Sequence, residues 1–171
     1  MRRAASLVVT IAILLTCSCG YRLAGQKVNN GQGRTIAVPT FSNQSTTYRI
    51  EQRLSEAVRL ELIRRTGYRV VPDRAGDVVV AGSVLNVSAT PVLFNERGRA
   101  SSFGLVVDLA IRVTDSRTGT VLLQNELWTF REIFELAQNS EAFVPEDTAA
   151  FDRLARRFAS SLVASLLASN P

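Results

Sequence analysis

The chain has 171 residues, 46% of them hydrophobic, with 20 basic and 15 acidic side chains, a formal net charge of +5, no histidine and two cysteines. That length fits one domain with a buried core rather than two. The modest positive charge lacks the clustered excess of a nucleic-acid binder, and the missing histidine removes the residue most used for general acid–base work and transition-metal ligation.

Met1-Arg2-Arg3 supplies a positive start, and Leu7 to Leu15 an apolar stretch of secretory-signal length, too short to span a bilayer. Two cysteines follow. Cys19 comes after the small residue Ser18, and bacterial lipoprotein processing attaches diacylglycerol to such a cysteine and cuts on its N-terminal side. Cys17 has Leu14 and Leu15 upstream but Thr16 directly before it. These neighbours favour Cys19 and leave Cys17 open, as well as an ordinary signal peptide, although no A-x-A cleavage site follows the run. Residues 1–18 are thus expected to be a lipoprotein signal peptide.

Acylation, palmitate included, would hold the chain at a membrane. At about 0.8 kcal/mol per buried methylene, each ~16-carbon chain contributes on the order of 10 kcal/mol. By the Gram-negative sorting rule an aspartate after the lipidated cysteine retains a lipoprotein at the inner membrane; Gly20 stands there instead, so the outer membrane is expected. Processing would remove Arg2 and Arg3 and leave 153 residues with 18 basic and 15 acidic side chains. No second apolar run reaches the length of a transmembrane helix, and with Cys19 acylated the fold would stand on packing alone.

Residues 19–34 read as the lipidated N-terminus and a tether, since Gly25 to Arg34 is polar and glycine-rich. The domain is expected over 35–171. Ile36 to Phe41 is a short apolar run in which Pro39 implies an edge strand or a strand end, and Asn43 to Thr47 is a polar turn with hydroxyls to cap a helix. From Tyr48 to Arg65 the stripe Ile50, Leu54, Ala57, Val58, Leu62 recurs at helical spacing, with Gly67 placed to end the helix. Tyr68 to Pro72 is a short extended piece, and Asp73 to Gly76 a turn.

Asp77 to Val87 is β-branched and apolar on both sides, as expected of a central strand. Ser88 to Ser102, with Thr90-Pro91 and Asn95 to Arg99, breaks the pattern. Phe103, Leu105, Val107, Leu109, Ile111 and Val113 then alternate strictly with other residues, which predicts a strand whose odd positions face a core. Asp115 to Gly119 is a hairpin turn, and Val121 to Phe134 the returning strand. After an irregular stretch to Pro145, Glu146 and Asp147 sit where a helix N-terminus favours negative charge, and Phe151, Leu154, Ala155, Phe158, Leu162 and Leu166 form the stripe of a last helix. The expected fold is α+β: two helices packed on one face of a mostly antiparallel sheet of about four strands.

No G-x-S-x-G, H-E-x-x-H or phosphate-cradling G-x-x-x-x-G-K-[ST] occurs. The carboxylate pairs Asp73/Asp77, Glu132/Glu135 and Glu146/Asp147 have plainer uses in a turn, at a strand end and beside a helix dipole. No catalytic residue, metal site or cofactor is assigned. Only one of the 20 basic residues, Lys27, is lysine. An arginine-rich surface suits an anionic partner, because the planar fork pairs bidentately with phosphate and carboxylate; the base composition of a GC-rich genome accounts for most of the excess.

Cys19-Gly20-Tyr21-Arg22-Leu23, Ile36-Ala37-Val38-Pro39-Thr40-Phe41 with Asn43, Arg65-Thr66-Gly67-Tyr68 and the Thr118-Gly119 hairpin, in that order and spacing, resemble the lipopolysaccharide-assembly lipoprotein family LptE over essentially the whole mature chain. The cysteine before Gly-Tyr is the lipidated one in that pattern, which selects Cys19. The resemblance implies an enzymatically inactive outer-membrane lipoprotein on the periplasmic side. Its partners would be lipopolysaccharide and the large β-barrel of the lipopolysaccharide translocon, whose lumen it plugs and whose assembly it assists. Lipid A carries phosphates, and Arg97 and Arg99, with Asn95 nearby, lie on a strand break where side chains project freely; these are the candidate lipopolysaccharide-binding residues, a solvated turn or a barrel contact being the plainer uses. Tyr21 and Arg22 suit a membrane interface. A lipoprotein activator of a peptidoglycan synthase has a similar plan but needs a longer tether than about ten residues, and a periplasmic hydrolase lacks its nucleophile motif.

Overall fold

The computed structural model describes residues 34–135 and 148–169. Six strands and two helices run in the order β1 (Thr35–Ala37), β2 (Ser42–Asn43), α1 (Ile50–Arg65), β3 (Arg69–Val71), β4 (Val78–Phe94), β5 (Ala100–Asp115), β6 (Val121–Glu135) and α2 (Thr148–Ser169). They form one sheet of order β3-β1-β4-β5-β6, with β2 pairing beside β1 on β4.

The expected α+β class holds, but the sheet has six strands rather than about four, and it is mixed. β1 is parallel to β3 and to β4, and β2 is parallel to β4; only β4–β5 and β5–β6 are antiparallel. Connectivity explains this. Between β1 and β3 the chain passes through α1, and a strand that returns after a helix lies parallel to its neighbour, whereas tight turns make β4, β5 and β6 an antiparallel meander. β1 is interior, so Pro39 marks a strand end rather than an edge.

Helix α1 buries Ile50, Leu54, Val58 and Leu62, the stripe expected from the spacing. Its ends differ from expectation. The N-cap is Arg49 in the left-handed region (φ 59°), without a side-chain cap. The Asn43–Thr47 turn instead ties itself together: the Asn43 Oδ1 accepts from the Ser45 N–H and hydroxyl, and its Nδ2 donates to the Thr47 carbonyl and to Glu51. At the other end Thr66 is extended, and both its N–H and its hydroxyl donate to the Leu62 carbonyl. Thr66 thus stops the helix one residue before Gly67.

The 17-residue β4 runs straight through the predicted break at Ser88. Thr90 and Pro91 remain paired with Gly104 and Phe103, with a register irregularity just after Pro91. Proline is tolerated because β2, the last strand on that side, leaves β4 at Val84, so beyond it β4 is bonded on one side only. Ser88 to Ser102 is therefore the outer part of a long hairpin, with a turn only at Asn95–Arg99.

On β5 the odd positions Leu105, Val107, Leu109, Ile111 and Val113 are all buried, as the alternation predicts, while Phe103, expected on the same face, is only half-buried against that core. They share one core with Val78, Val80 and Val84 of β4, the stripe of α1, and Phe151, Leu154, Ala155, Phe158, Leu162 and Leu166 of α2. Phe158 locks α2 to the sheet. Its ring meets Phe41, Trp128 and Phe130 edge-on, with centroids 6.1, 6.2 and 5.4 Å away. Gly82 is where this core approaches the β4 backbone: a Cβ there would stand 2.8 Å from the Phe41 ring and 2.9 Å from the Ile111 methyl. Glu132 of β6 receives Arg153 Nε at 2.7 Å and Arg157 Nη1 at 3.0 Å, a second tie from α2.

Candidate functional site

The two ends of the β4–β5–β6 meander differ in chemistry. At the β5–β6 end, the Asp115 Oδ1 accepts the backbone N–H groups of Arg117 (2.9 Å) and Thr118 (3.2 Å), while Gly119 takes φ 70° to close the turn. Those two bonds hold the Asp115 carboxyl below the usual carboxylate range, with Arg117 and Arg34 adding attraction against a burial penalty. The Arg34 guanidinium stands 4.0 Å from Asp115, and the Thr35 N–H donates to Asp77 at 2.9 Å. The first described residues of the chain thus enter the fold at this end.

The β4–β5 turn lies at the other end and holds the three candidate residues. Asn95 organises it: its backbone N–H donates to the Arg99 carbonyl (2.8 Å), its carbonyl accepts from the Gly98 N–H (2.9 Å), and its Oδ1 accepts from the N–H groups of Arg97 and Arg99, both at 3.0 Å. Gly98 takes φ 71°, a conformation that a side chain would strain. The Asn95 oxygen is thereby committed to the turn that carries Arg97 and Arg99.

Arg97 and Arg99 are both exposed. Among the described residues neither makes an ion pair, in contrast to Arg53, Arg59, Arg153 and Arg157 in the body. The turn therefore brings together two guanidinium groups that form no ion pair among the described residues, with Gly98 between them in sequence and Glu96 directly before Arg97. Such forks pair bidentately with phosphate and with carboxylate.

Sequence reasoning passed over the apolar part of this end. Val92, Leu93 and Phe94 are 46, 59 and 62% exposed, and Ile133 of β6 is 66% exposed. Val92 lies against Gly104, where a Cβ would come 3.3 Å from its Cγ1, and Ile133 is the β6 partner of Gly104. Apolar side chains thus stand beside the arginine-bearing turn. The signal was the run Pro91-Val92-Leu93-Phe94 directly before Asn95-x-x-Gly98.

Cys19, Cys17, Tyr21 and Arg22 lie outside the described residues, as do Glu146 and Asp147. Three members of the other carboxylate pairs have structural uses: Asp73 accepts the Ala75 N–H, Asp77 holds Thr35, and Glu132 is clamped by two arginines. Arg153, with Arg157 assisting against burial, holds the Glu132 carboxyl below its usual range. Among the described residues no group of three metal-ligating side chains occurs, and no helix is long and apolar enough to cross a membrane.

Several solved structures share the fold. A putative lipoprotein from Caulobacter crescentus CB15 superposes with a TM-score of 0.51 at 17% identity, covering 77% of this chain and 93% of its own. The hypothetical protein CT253 from Chlamydia trachomatis gives 0.53 at 13%, covering 79% and 98%. The uncharacterized lipoprotein B from Nitrosomonas europaea gives 0.51 at 15%, covering 80% and 85%. Identities this low show the fold alone. No curated protein matches the chain. Residues 33–166 match the family model described as LptE: Lipopolysaccharide-assembly.

Proposed function

The chain belongs to the LptE lipopolysaccharide-assembly family, and from that membership we propose that it is an outer-membrane lipoprotein, acylated at Cys19, that plugs a large partner β-barrel and presents lipopolysaccharide to it. Its work is non-covalent. The barrel supplies the path to the outer leaflet, and this chain assists barrel assembly and offers the Arg97/Arg99 turn to lipid A phosphates.

The observation that carries this is the polarity of the long hairpin. The tether side enters beside Asp115, at the end opposite the Asn95–Arg99 turn. β4 has 17 residues, which at about 3.3 Å per residue extend roughly 55 Å. A bilayer with its headgroups is about 40–45 Å thick. A body standing along its strands in a barrel lumen, with its anchored end at the periplasmic leaflet, therefore has the length to bring free arginines to the level of the opposite leaflet.

Affinity purification of the tagged chain from detergent-solubilised outer membranes tests the reading, and a large β-barrel should co-purify. A plug surface is spread over many residues, so Arg97→Ala/Arg99→Ala should keep the barrel. Charge-assisted contacts are worth about 1.5–3 kcal/mol each, so the same variant should bind lipopolysaccharide at least tenfold more weakly. Absence of any barrel would overturn the plug role; unchanged lipid affinity would remove the two arginines from the site.

A further inference from the structure

Helices α1 and α2 lie side by side and run in the same direction, joined by Arg53–Asp152 (3.3 Å) near one end and by Arg65 Nη1 donating to the Ser160 carbonyl (3.4 Å) further along. Between them is an open groove of about 540 Å³. Ala57, Ala155 and Ala159 line it with methyl groups, and Leu60, 52% exposed, forms an apolar wall. Small side chains on both helices leave a shallow slot for a slender hydrocarbon chain. The volume falls within the roughly 300–1,000 Å³ of small-molecule sites, whereas a stable protein interface needs about 800 Å² from each partner.

The rim is charged, and its pairing is uneven. Each lining carboxylate already has an arginine: Glu56 has Arg59 (3.0 Å), Glu61 has Arg64 and Arg65 (3.5 and 3.6 Å), and Asp152 has Arg53. Arg156 also lines the groove, is exposed, and makes no ion pair among the described residues. Counting these partners, five arginines stand against three carboxylates. An apolar slot whose rim holds one uncommitted guanidinium recognises a molecule with a hydrocarbon tail and an anionic head.

We infer that the groove between α1 and α2 binds a single-chain anionic amphiphile, its tail along Ala57, Leu60, Ala155 and Ala159 and its head on Arg156. This site is separate from the Arg97/Arg99 turn and does not depend on the role proposed for that turn.

The test is calorimetric titration of the full chain, held in zwitterionic lipid nanodiscs, with dodecyl phosphate, dodecanoate and dodecanol below their micellar concentrations, empty discs serving as the blank. Both anionic probes should saturate one site at least tenfold more tightly than dodecanol, and the tighter of the two identifies the head as phosphate or carboxylate. Arg156→Ala should remove that tenfold advantage and leave dodecanol unchanged; Leu60→Glu should weaken all three. Arg156 is a surface residue, so its variant keeps the test decisive if Leu60→Glu misfolds, as a thermal melt will show. Non-saturating uptake, or binding that neither variant alters, overturns the inference. So does loss of a co-purifying barrel from Leu60→Glu when the parent chain binds no amphiphile, which makes the groove a protein contact.

Discussion

Asn95 and the two arginines after it divide the labour of one turn. Asn95 spends its backbone and its side-chain oxygen on holding the loop, Gly98 supplies the left-handed residue, and the guanidinium groups of Arg97 and Arg99 form no ion pair among the described residues. Position in the sequence was enough to place the arginines on an exposed turn, because they flank a glycine between two strands. It was not enough to tell a ligand-facing asparagine from a turn-holding one, since both look like Asn-x-x-Gly and only the bond from Oδ1 separates them. At the N-terminus, Cys19→Ala should abolish processing and palmitate labelling, whereas Cys17→Ala should leave a lipidated protein. Labelling that survives the first change and vanishes in the second would move the anchor to Cys17.

At the scale of elements, the alternation on β5 carries the most weight. Leu109 is fully buried between β4 and β6, opposite Val84 and Trp128. Truncation there should cost about 2–5 kcal/mol, so Leu109→Ala should melt well below the parent; an unchanged melting temperature would contradict its place in the core. Strict period-two and helical patterns made β5, β6, α1 and α2 readable from sequence. β1, β2 and β3 are three, two and three residues long, too short to show a period, so their number and parallel pairing depended on how α1 crosses between them. Pro91 misled for another reason: its effect depends on whether the neighbouring edge is bonded, which local sequence does not show.

The tie between β6 and α2 has its own pH signature. Arg153 and Arg157 lower the Glu132 pKa below its usual value of 4.5, so the folded state binds this proton less readily than the unfolded chain. The tie is fully stabilising above about that value and is lost as pH falls through the depressed one. Glu132→Gln should therefore melt below the parent at neutral pH and show a shallower loss of stability on acidification below pH ~4.5. Equal acid slopes in the two proteins would mean that Glu132 is no more strongly ionised in the folded state than in the unfolded chain.

At the scale of the molecule, the sheet is a rod with unlike ends. One end carries the Asp115 turn with Arg34, the first described residue; the other carries exposed Val92, Leu93 and Phe94 beside Arg97 and Arg99, which make no ion pair among the described residues. The proposed role gives that polarity a use, because lipopolysaccharide is itself part phosphate and part hydrocarbon. Photo-crosslinking in intact cells, with a probe residue at Glu96 in one strain and at Arg117 in another, tests this most directly. A lipopolysaccharide adduct is expected from the Glu96 probe and none from the Arg117 probe at equal protein levels; adducts of equal yield from both ends, or from the Arg117 end alone, would overturn the proposed orientation.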